Sequence, residues 1–226
     1  MADIKQHPLG QSPSPLGQGP SPFGLSPSPF GLSSSKPLQA QIARSEFILG
    51  GQRSGKSRRA ELIARQWLDA SPNHRTVMIA TGQAWDDEMR ERIARHQRDR
   101  AERVPGMVTV EEPVALASAL RAHSAAQTLV VVDCLTLWLT NLLMPAEGTA
   151  TDAAEPTQAL CAAIRSATGP VVLVGNEIGL GVIPMGRETR AFVDALGGLN
   201  QAVAAACERV TLMAAGLPLQ LKDVDA

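Results

Sequence analysis

Residues 50–57 of the chain read Gly50-Gly51-Gln52-Arg53-Ser54-Gly55-Lys56-Ser57. The stretch fits the pattern G-x-x-x-x-G-K-[S/T], in which glycines let backbone N–H groups turn inward at the start of a helix. Such a nest of donors, together with the helix dipole, favours a bound phosphate group. In this pattern the lysine reaches the β- and γ-phosphates and the final hydroxyl ligates Mg²⁺. The stretch therefore predicts a nucleotide-binding loop, with Lys56 on the phosphates and Ser57 on the metal.

The flanking residues have the patterns that such a loop requires. Residues 47–49 form a short apolar run that predicts a strand, and residues 56–68 carry apolar side chains at the spacing of one helix face. A chance glycine-rich turn before an ordinary helix is the alternative interpretation. The strand before the loop and the helix after it favour the nucleotide site.

Beyond the loop, apolar runs alternate with helical patterns. Further strands are predicted at 76–80, 108–110, 129–132 and 171–174, helices at 86–98, 114–123, 135–143, around 159–166 and at 187–208, and a hairpin over 210–222. Strands that are apolar on both faces and alternate with helices are typical of a parallel sheet covered by helices. The predicted fold class is therefore α/β, with a mostly parallel sheet and a C-terminal antiparallel edge hairpin.

The composition limits the classes of function. The chain has 226 residues, a formal net charge of -1, 3% aromatic residues and no tyrosine, which argues against a nucleic-acid-binding surface. Its three cysteines form no C-x-x-C pair, so we expect reduced thiols inside the cell and no zinc site. The longest apolar stretch, 129–144, is interrupted by polar residues and falls short of the roughly 18 apolar residues of a membrane span. We expect an intracellular protein that handles a small molecule.

The first 44 residues differ in composition from the rest. Residues 13–19 read PSPLGQG, and residues 20–26 and 27–33 both read PSPFGLS. Proline blocks helices, and so polar a segment buries too little surface to offset its chain entropy. We predict a disordered extension over 1–44 and a nucleotide-binding domain over 45–226. A docking tail with Phe23 and Phe30 as anchors is the alternative.

Two carboxylates follow buried strands of the predicted sheet. Asp133 comes directly after the apolar run 129–132, and Glu177 comes soon after 171–174. The carboxyl ends of parallel strands form the edge where α/β folds bind ligands. An aspartate at this position either caps the following helix or holds Mg²⁺ opposite the phosphate loop. Paired with that loop, Asp133 is predicted to be the second magnesium ligand.

The predicted helix over 86–98 is rich in charge and contains a histidine. Steps of four residues place Glu88, Arg92, His96 and Arg100 in one column on its surface. A histidine between two arginines is suited to nucleophilic attack on a phosphate whose charge the arginines neutralise. A solvated face laced with weak ion pairs is the alternative, and by residue pattern alone it is favoured.

Several segments, taken in order, resemble a known family. They are Gly50-Gly51-x-Arg53-Ser54-Gly55-Lys56-Ser57, Ile79-Ala80-Thr81 with Asp86-Asp87-Glu88-Met89, Arg92-Ile93-x-x-His96-x-x-x-Arg100, Thr109-Val110-Glu111-Glu112-Pro113, Asp133-Cys134-Leu135-Thr136 leading to Asn141-Leu142-Leu143, and Asn176-Glu177-Ile178-Gly179-Leu180-Gly181-Val182-Ile183-Pro184 with Arg187, Arg190 and Asn200-Gln201. This ordered set resembles the bifunctional adenosylcobinamide kinase/adenosylcobinamide-phosphate guanylyltransferases of cobalamin biosynthesis. One departure is Gly175, where many relatives carry threonine.

The resemblance implies a RecA-like P-loop fold, a cytoplasmic homotrimer and two reactions. ATP or GTP phosphorylates the aminopropanol hydroxyl of adenosylcobinamide. GMP is then transferred from GTP to that phosphate, with release of pyrophosphate, to give adenosylcobinamide-GDP. Nucleic acid is not an expected partner.

The resemblance also implies roles for individual residues. The family's guanylylated histidine matches His96, which reverses the preference for a solvated face. The loop from Gly50 to Ser57 holds nucleotide. Positions that contact guanine nucleotide match Ala80, Thr81, Gly82, Gln97, Arg98, Asp99, Arg100, Glu111 and Asp133.

Two other functions are consistent with the same loop. One is a monofunctional P-loop kinase for a small molecule, in which His96 is structural. The other is a non-catalytic nucleotide switch whose proline-rich tail docks a partner. Labelling of His96 by GTP distinguishes the bifunctional enzyme from the monofunctional kinase. Phosphoryl transfer to cobinamide distinguishes it from the nucleotide switch.

Overall fold

The computed structural model describes residues 42–84 and 87–223, apart from the side chains of Glu88, Met89 and Arg92. All of these residues belong to one compact unit that spans 40–226. The predicted extension lies outside the described residues except at its last positions, where Ala43 is buried. The division between tail and domain at residues 44 and 45 stays a prediction.

The described residues form seven strands and six helices. The strands are β1 (Ser45–Gly50), β2 (Arg75–Ala80), β3 (Val108–Glu111), β4 (Thr128–Asp133), β5 (Val171–Val174), β6 (Arg209–Ala214) and β7 (Leu217–Asp223). The helices are α1 (Lys56–Ala70), α2 (Asp87–Arg103), α3 (Leu116–His123), α4 (Leu135–Leu143), α5 (Ala154–Ser166) and α6 (Arg187–Ala206).

The strands make one sheet with the order β3-β2-β4-β5-β1-β6-β7. Pairings from β3 to β6 are parallel, and β7 pairs antiparallel with β6. The predicted fold class is confirmed, including the C-terminal edge hairpin. Strand β5 lies between β1, which leads into the nucleotide-binding loop, and β4, which ends at Asp133.

Two apolar clusters cover the two faces of the sheet. On one face α1 contributes Ala60, Ile63 and Ala64 against alternate residues of the central strands. On the other face α3, α4, α5 and α6 pack through residues such as Leu120 and Leu160. Because both faces are covered, residues 129–132 of β4 and 171–174 of β5 are apolar throughout, as the sequence pattern predicts.

Several element boundaries differ from the predicted ones, and three of them coincide with local contacts or turns. Helix α5 begins at Ala154, earlier than predicted, and the Asp152 carboxylate accepts the N–H of Ala154 at 3.1 Å. Helix α2 continues to Arg103, whose Nη1 lies 3.1 Å from Glu61 Oε2 on α1. The hairpin turns at Ala215 and Gly216, with φ of 51° and 81°, slightly before the predicted centre. Positive φ at both positions matches the twist of a tight two-residue turn.

Gly175 follows β5 in a space closed by Phe47. A Cβ at residue 175 would lie 2.9 Å from Phe47 Cε2 and 3.0 Å from Cζ. The Phe47 ring is fully buried, so it has no free path away. The threonine that many relatives carry there therefore requires a differently placed ring.

Gly175→Ala is expected to lower the free energy of unfolding by about 1–3 kcal/mol, because an added methyl overpacks a closed core. The measurement is urea unfolding followed by circular dichroism. Gly198→Ala is the matched control, since a Cβ at that α6 position meets no atom within 4 Å. It is expected to raise stability by about 0.5–1 kcal/mol. Equal effects at the two positions would contradict this account of Gly175.

Candidate active site

The loop between β1 and α1 depends on its glycines. Gly50 has a φ of 153° and Gly55 a φ of 103°, a region that favours glycine. A Cβ on Gly50 would lie 2.5 Å from the Met213 carbonyl oxygen. The loop is tied to the hairpin turn, since the Gly216 N–H donates to the Ser54 carbonyl at 3.0 Å. Contacts within the chain therefore fix the shape of the loop.

Lys56 lies inside the loop. Its side chain is buried, and Nζ donates to the Gly51 carbonyl at 2.6 Å. Burial lowers the pKa of the Lys56 ammonium below its ordinary value, while Cys134 and Asp133 act in the opposite direction. The nearby Ser54 Oγ is buried without a hydrogen-bond partner among the described residues. A buried cation beside an unsatisfied hydroxyl is a suitable environment for an anionic ligand.

Affinity for ATP is expected to fall as pH rises. The fall should begin at a lower pH than it would if Lys56 were an exposed lysine with an ordinary pKa. Lysine is charged below its pKa, so a pKa lowered from 10.5 means that the charge is lost sooner as pH rises. The Kd for ATP, measured by calorimetry across alkaline pH, should therefore rise in a limb that begins below 10.5. Lys56→Arg should abolish this limb, because guanidinium does not titrate in that range. Persistence of the limb in Lys56→Arg would assign it to another group.

The strand register brings several predicted residues into one row at the carboxyl edge of the sheet. Ala80 pairs with Glu111 on one side and with Asp133 on the other, and Asp133 pairs with Val174. Residues paired in register share a face of the sheet. Val174 packs in the cluster that contains α1, so the Asp133 side chain lies on the face of the nucleotide-binding loop and its helix.

A cleft on this face brings together the residues with the strongest predicted roles. It is lined by polar side chains from α1, α2 and β4, namely Ser57, Glu61, His96, Arg100 and Asp133. His96 is exposed at the cleft and lies one helical turn before Arg100 on α2. The structure therefore places the exposed His96 imidazole in one cleft with Ser57 and Asp133, the two residues predicted to hold magnesium.

Arg100 is the buried cation of this cleft. Its side chain lies within the fold, with Nη2 at 3.7 Å from Asp133 Oδ2 and Nη1 at 3.4 Å from Thr109 Oγ1. Its Nε has no hydrogen-bond partner among the described residues. These long and missing contacts leave guanidinium donors available to an anion. Arg100 is therefore not part of a solvated helix face, whereas His96 is exposed. The side chains of Glu88 and Arg92, the other members of the predicted column, lie outside the described residues.

Asp133 does not cap the following helix. The cap of α4 is Cys134, without a side-chain cap bond. Asp133 and the Ser57 hydroxyl line the same cleft, and oxygen ligands of this kind suit Mg²⁺. Among the described residues no group of three or more His, Cys, Asp or Glu side chains could hold a metal ion. The donor set thus fits a magnesium ion that arrives with a nucleotide, not one held by protein ligands alone.

The remaining matched residues occupy different places around this edge. Thr81 is buried, and its Oγ1 donates to the Cys134 carbonyl at 2.8 Å and accepts the Cys134 N–H at 2.9 Å. It links the ends of β2 and β4. Gly82 follows it, and a Cβ there would lie 3.4 Å from Leu137. Gln97 and Arg98 on α2 and Glu111 at the end of β3 are exposed. Asp99 forms an ion pair with Arg103, with 3.7 Å between Oδ2 and Nη2.

Two buried glutamates of this region were not predicted. Glu61 lines the cleft and pairs with Arg103 of α2, which joins the His96 helix to α1. Glu46 lies within β1 and accepts from Arg59 Nε and Thr211 Oγ1, both at 2.8 Å. The position of Glu61 beside Ala60 on the apolar face of α1 is a signal that could have revealed it. An acidic residue inside an apolar strand run is the corresponding signal for Glu46.

No helix among the described residues has the length and apolar character needed to cross a membrane.

Comparison with known proteins adds to this geometry. Three curated relatives are named bifunctional adenosylcobalamin biosynthesis proteins, called CobP in Pseudomonas aeruginosa and CobU in Escherichia coli and Salmonella typhimurium. The P. aeruginosa protein is 48% identical over 177 residues, which cover 78% of this chain and 96% of the relative. The E. coli and S. typhimurium proteins are 35% and 34% identical over 187 residues, which cover 78% of this chain and 98% of each relative.

The family model described as cobinamide kinase / cobinamide phosphate guanyltransferase matches residues 46–221. The match begins in β1 and ends in β7, so it includes the nucleotide-binding loop, the α2 helix and the carboxyl edge of the sheet. The chain is therefore a nucleotide-using enzyme of the cobinamide kinase / cobinamide phosphate guanyltransferase family.

Proposed function

We propose that this protein phosphorylates adenosylcobinamide with ATP or GTP and then uses His96 to transfer GMP from GTP to the product. The final products are adenosylcobinamide-GDP and pyrophosphate, within cobalamin biosynthesis. The observation that carries this proposal is the shared cleft, in which Ser57, His96, Arg100 and Asp133 converge. A cleft that joins the last residue of the phosphate-binding loop to an exposed imidazole suits two successive phosphorus transfers.

In the kinase step the chain positions the nucleotide and offsets charge. Backbone N–H groups of residues 50–57 and the Lys56 ammonium bind the β- and γ-phosphates. Mg²⁺, held through Ser57 and Asp133, would supply further charge neutralisation. The substrate hydroxyl oxygen forms the new bond to the γ-phosphorus, the bond to the leaving nucleotide breaks, and the hydroxyl proton is lost.

In the guanylyl step His96 acts as the nucleophile. An imidazole nitrogen forms a bond to the α-phosphorus of GTP while the bond to pyrophosphate breaks. A phosphate oxygen of adenosylcobinamide phosphate then attacks the same phosphorus, and the phosphorus–nitrogen bond breaks. Arg100 lies one helical turn from His96, and its Nε has no hydrogen-bond partner among the described residues. It is therefore placed to neutralise charge on the phosphates. Residues 80–82, 97–100 and 111, which we propose also contact the nucleotide, lie on helix α2 and at the carboxyl edge of the sheet.

Product analysis tests the proposal against its alternatives. Purified protein is incubated with adenosylcobinamide and ATP, GTP is then added, and products are identified by mass spectrometry. Adenosylcobinamide phosphate should form first, and adenosylcobinamide-GDP with pyrophosphate should follow. A reaction that stops at the phosphate would instead indicate a monofunctional kinase with a structural His96. Nucleotide hydrolysis without any cobinamide product would indicate a nucleotide switch.

We also propose a cytoplasmic homotrimer that has no nucleic-acid partner. The family resemblance supports this assembly and location. Sedimentation equilibrium of the full chain should return three times the 23.9 kDa chain mass. A monomer mass that persists at the highest concentration would contradict the trimer.

A further inference from the structure

The segment 178–185, here called the apolar strap, exposes large apolar side chains. It follows β5 and precedes α6, and its exposed fractions are 81% for Leu180, 96% for Val182, 76% for Ile183 and 95% for Met185. Apolar residues are common on protein surfaces when they occur singly, but a contiguous group indicates a binding surface. The strap is such a group, and nothing in the kinase and guanylyl chemistry above uses it.

Both ends of the strap are fixed. At its start the Glu177 N–H donates to the Gly50 carbonyl at 3.1 Å, and the Gly179 N–H donates to Glu177 Oε1 at 2.6 Å. At its end Arg190 Nη1 donates to the carbonyls of Pro184 at 3.0 Å and Met185 at 2.5 Å. The strap is therefore held at the carboxyl edge of the sheet, and the residue that precedes it is bonded to the nucleotide-binding loop.

The geometry points to the apolar strap as the surface that receives the corrin ring of the cobinamide substrate. This inference rests on the proposed function and adds to it the location of the acceptor. The acceptor hydroxyl must approach the γ-phosphate beside Lys56, so the rest of the substrate must lie near that loop. The residue just before the strap, Glu177, is bonded to Gly50 of that loop, so the strap starts one residue from it.

The chemistry of the two surfaces is complementary. A corrin is a broad macrocycle whose rim carries methyl groups and amide side arms, and a hydroxyl-bearing arm extends from it. The cleft around Asp133 contains the charged and polar side chains of Arg100, His96 and Ser57, which suit phosphates. The strap presents aliphatic side chains with backbone amide groups between them, which suit methyl groups and amides respectively. The nucleotide and the corrin thus have separate surfaces that meet at Gly50.

The test is a pair of double variants in the full chain. Val182→Ser with Ile183→Ser removes two aliphatic side chains from the strap. Both are exposed, so the fold should not depend on them. The matched control is Leu219→Ser with Leu221→Ser, which removes two exposed aliphatic side chains from edge strand β7. Each variant is assayed for KM of adenosylcobinamide, KM of ATP and molar mass by light scattering.

The strap variant is expected to raise the KM of adenosylcobinamide by about ten- to hundredfold, as two lost apolar contacts imply. Its KM for ATP, its labelling by GTP and its molar mass should match the wild type, and the β7 variant should keep the wild-type KM for adenosylcobinamide. Hydrogen exchange adds a direct readout, because adenosylcobinamide should slow exchange of the amides in 178–185.

Two results would overturn the inference. One is an unchanged KM for adenosylcobinamide with no protection of 178–185. The other is a fall in molar mass that accompanies the loss of activity, which would show that a second copy of the chain covers the strap. Failure of the proposed function is a separate result, since wild-type protein would then not phosphorylate adenosylcobinamide at all.

Discussion

Lys56→Ala is expected to lower kcat for adenosylcobinamide phosphorylation by about 100- to 1000-fold, the loss typical of one preorganised charge donor. Lys56 is buried, and its Nζ lies 2.6 Å from the Gly51 carbonyl, so its ammonium is held within the phosphate-binding loop. Its charge acts on the phosphates as they separate, which places the effect on kcat. Coupled steady-state assays with ATP measure this loss.

Arg58→Ala is the control for Lys56→Ala. Arg58 is an exposed cation of the same helix α1, two residues further along the chain. It should keep kcat within about twofold, as is usual for exposed surface substitutions. A Lys56→Ala enzyme that retains the wild-type kcat would show that the loop does not bind the reacting nucleotide.

His96→Ala is expected to abolish formation of adenosylcobinamide-GDP and to keep the kinase step. Alanine removes the proposed nucleophile, and because His96 is exposed its loss leaves no cavity. The reaction should then stop at adenosylcobinamide phosphate, with kcat for phosphorylation within about threefold of wild type. Chromatography of the corrinoid products after incubation with ATP and GTP measures both steps.

His123→Ala is the control for His96→Ala. His123 ends helix α3 and does not line the cleft. It should leave both products unchanged. Production of adenosylcobinamide-GDP by His96→Ala would remove the histidine mechanism and leave direct transfer between the two substrates.

Local patterns predict much of this fold. The run 171–174 and the helix 135–143 have the bounds expected from sequence, since the first is apolar throughout and the second is bounded by Asp133-Cys134 and Pro145. The nucleotide-binding loop and Asp133 are recognisable for a similar reason. Their chemistry requires a strict pattern along the chain, so it is visible without knowledge of the packing.

Contacts between distant elements could not be predicted in this way. Arg103, in the last turn of α2, pairs with Glu61 of α1, and the pattern of neither helix predicts that pairing. The proximity of Arg100 to Asp133 depends on how α2 packs on the sheet. For that reason the column of charges on α2 reads as a solvated face by pattern alone. The family resemblance, and not periodicity, identifies His96.

The exposure of the apolar strap also could not be predicted from the sequence. Periodicity does not tell whether aliphatic residues in a loop turn inward or outward. The structure holds the strap at both ends by the bonds of Glu177 and Arg190 and turns Val182 to solvent. The exposure of the strap side chains depends on how the segment lies against the folded sheet, so it cannot be read from the sequence alone.

A pulse–chase experiment tests the central claim, that one chain carries GMP on His96 between its two substrates. The protein is incubated with GTP labelled at the α-phosphate, freed of nucleotide and then mixed with unlabelled adenosylcobinamide phosphate. We expect acid-labile, base-stable label on the wild-type protein, none on His96→Ala, and transfer of the label to adenosylcobinamide-GDP within the chase. Label that stays on the protein during the chase, or that persists in His96→Ala, would contradict the mechanism.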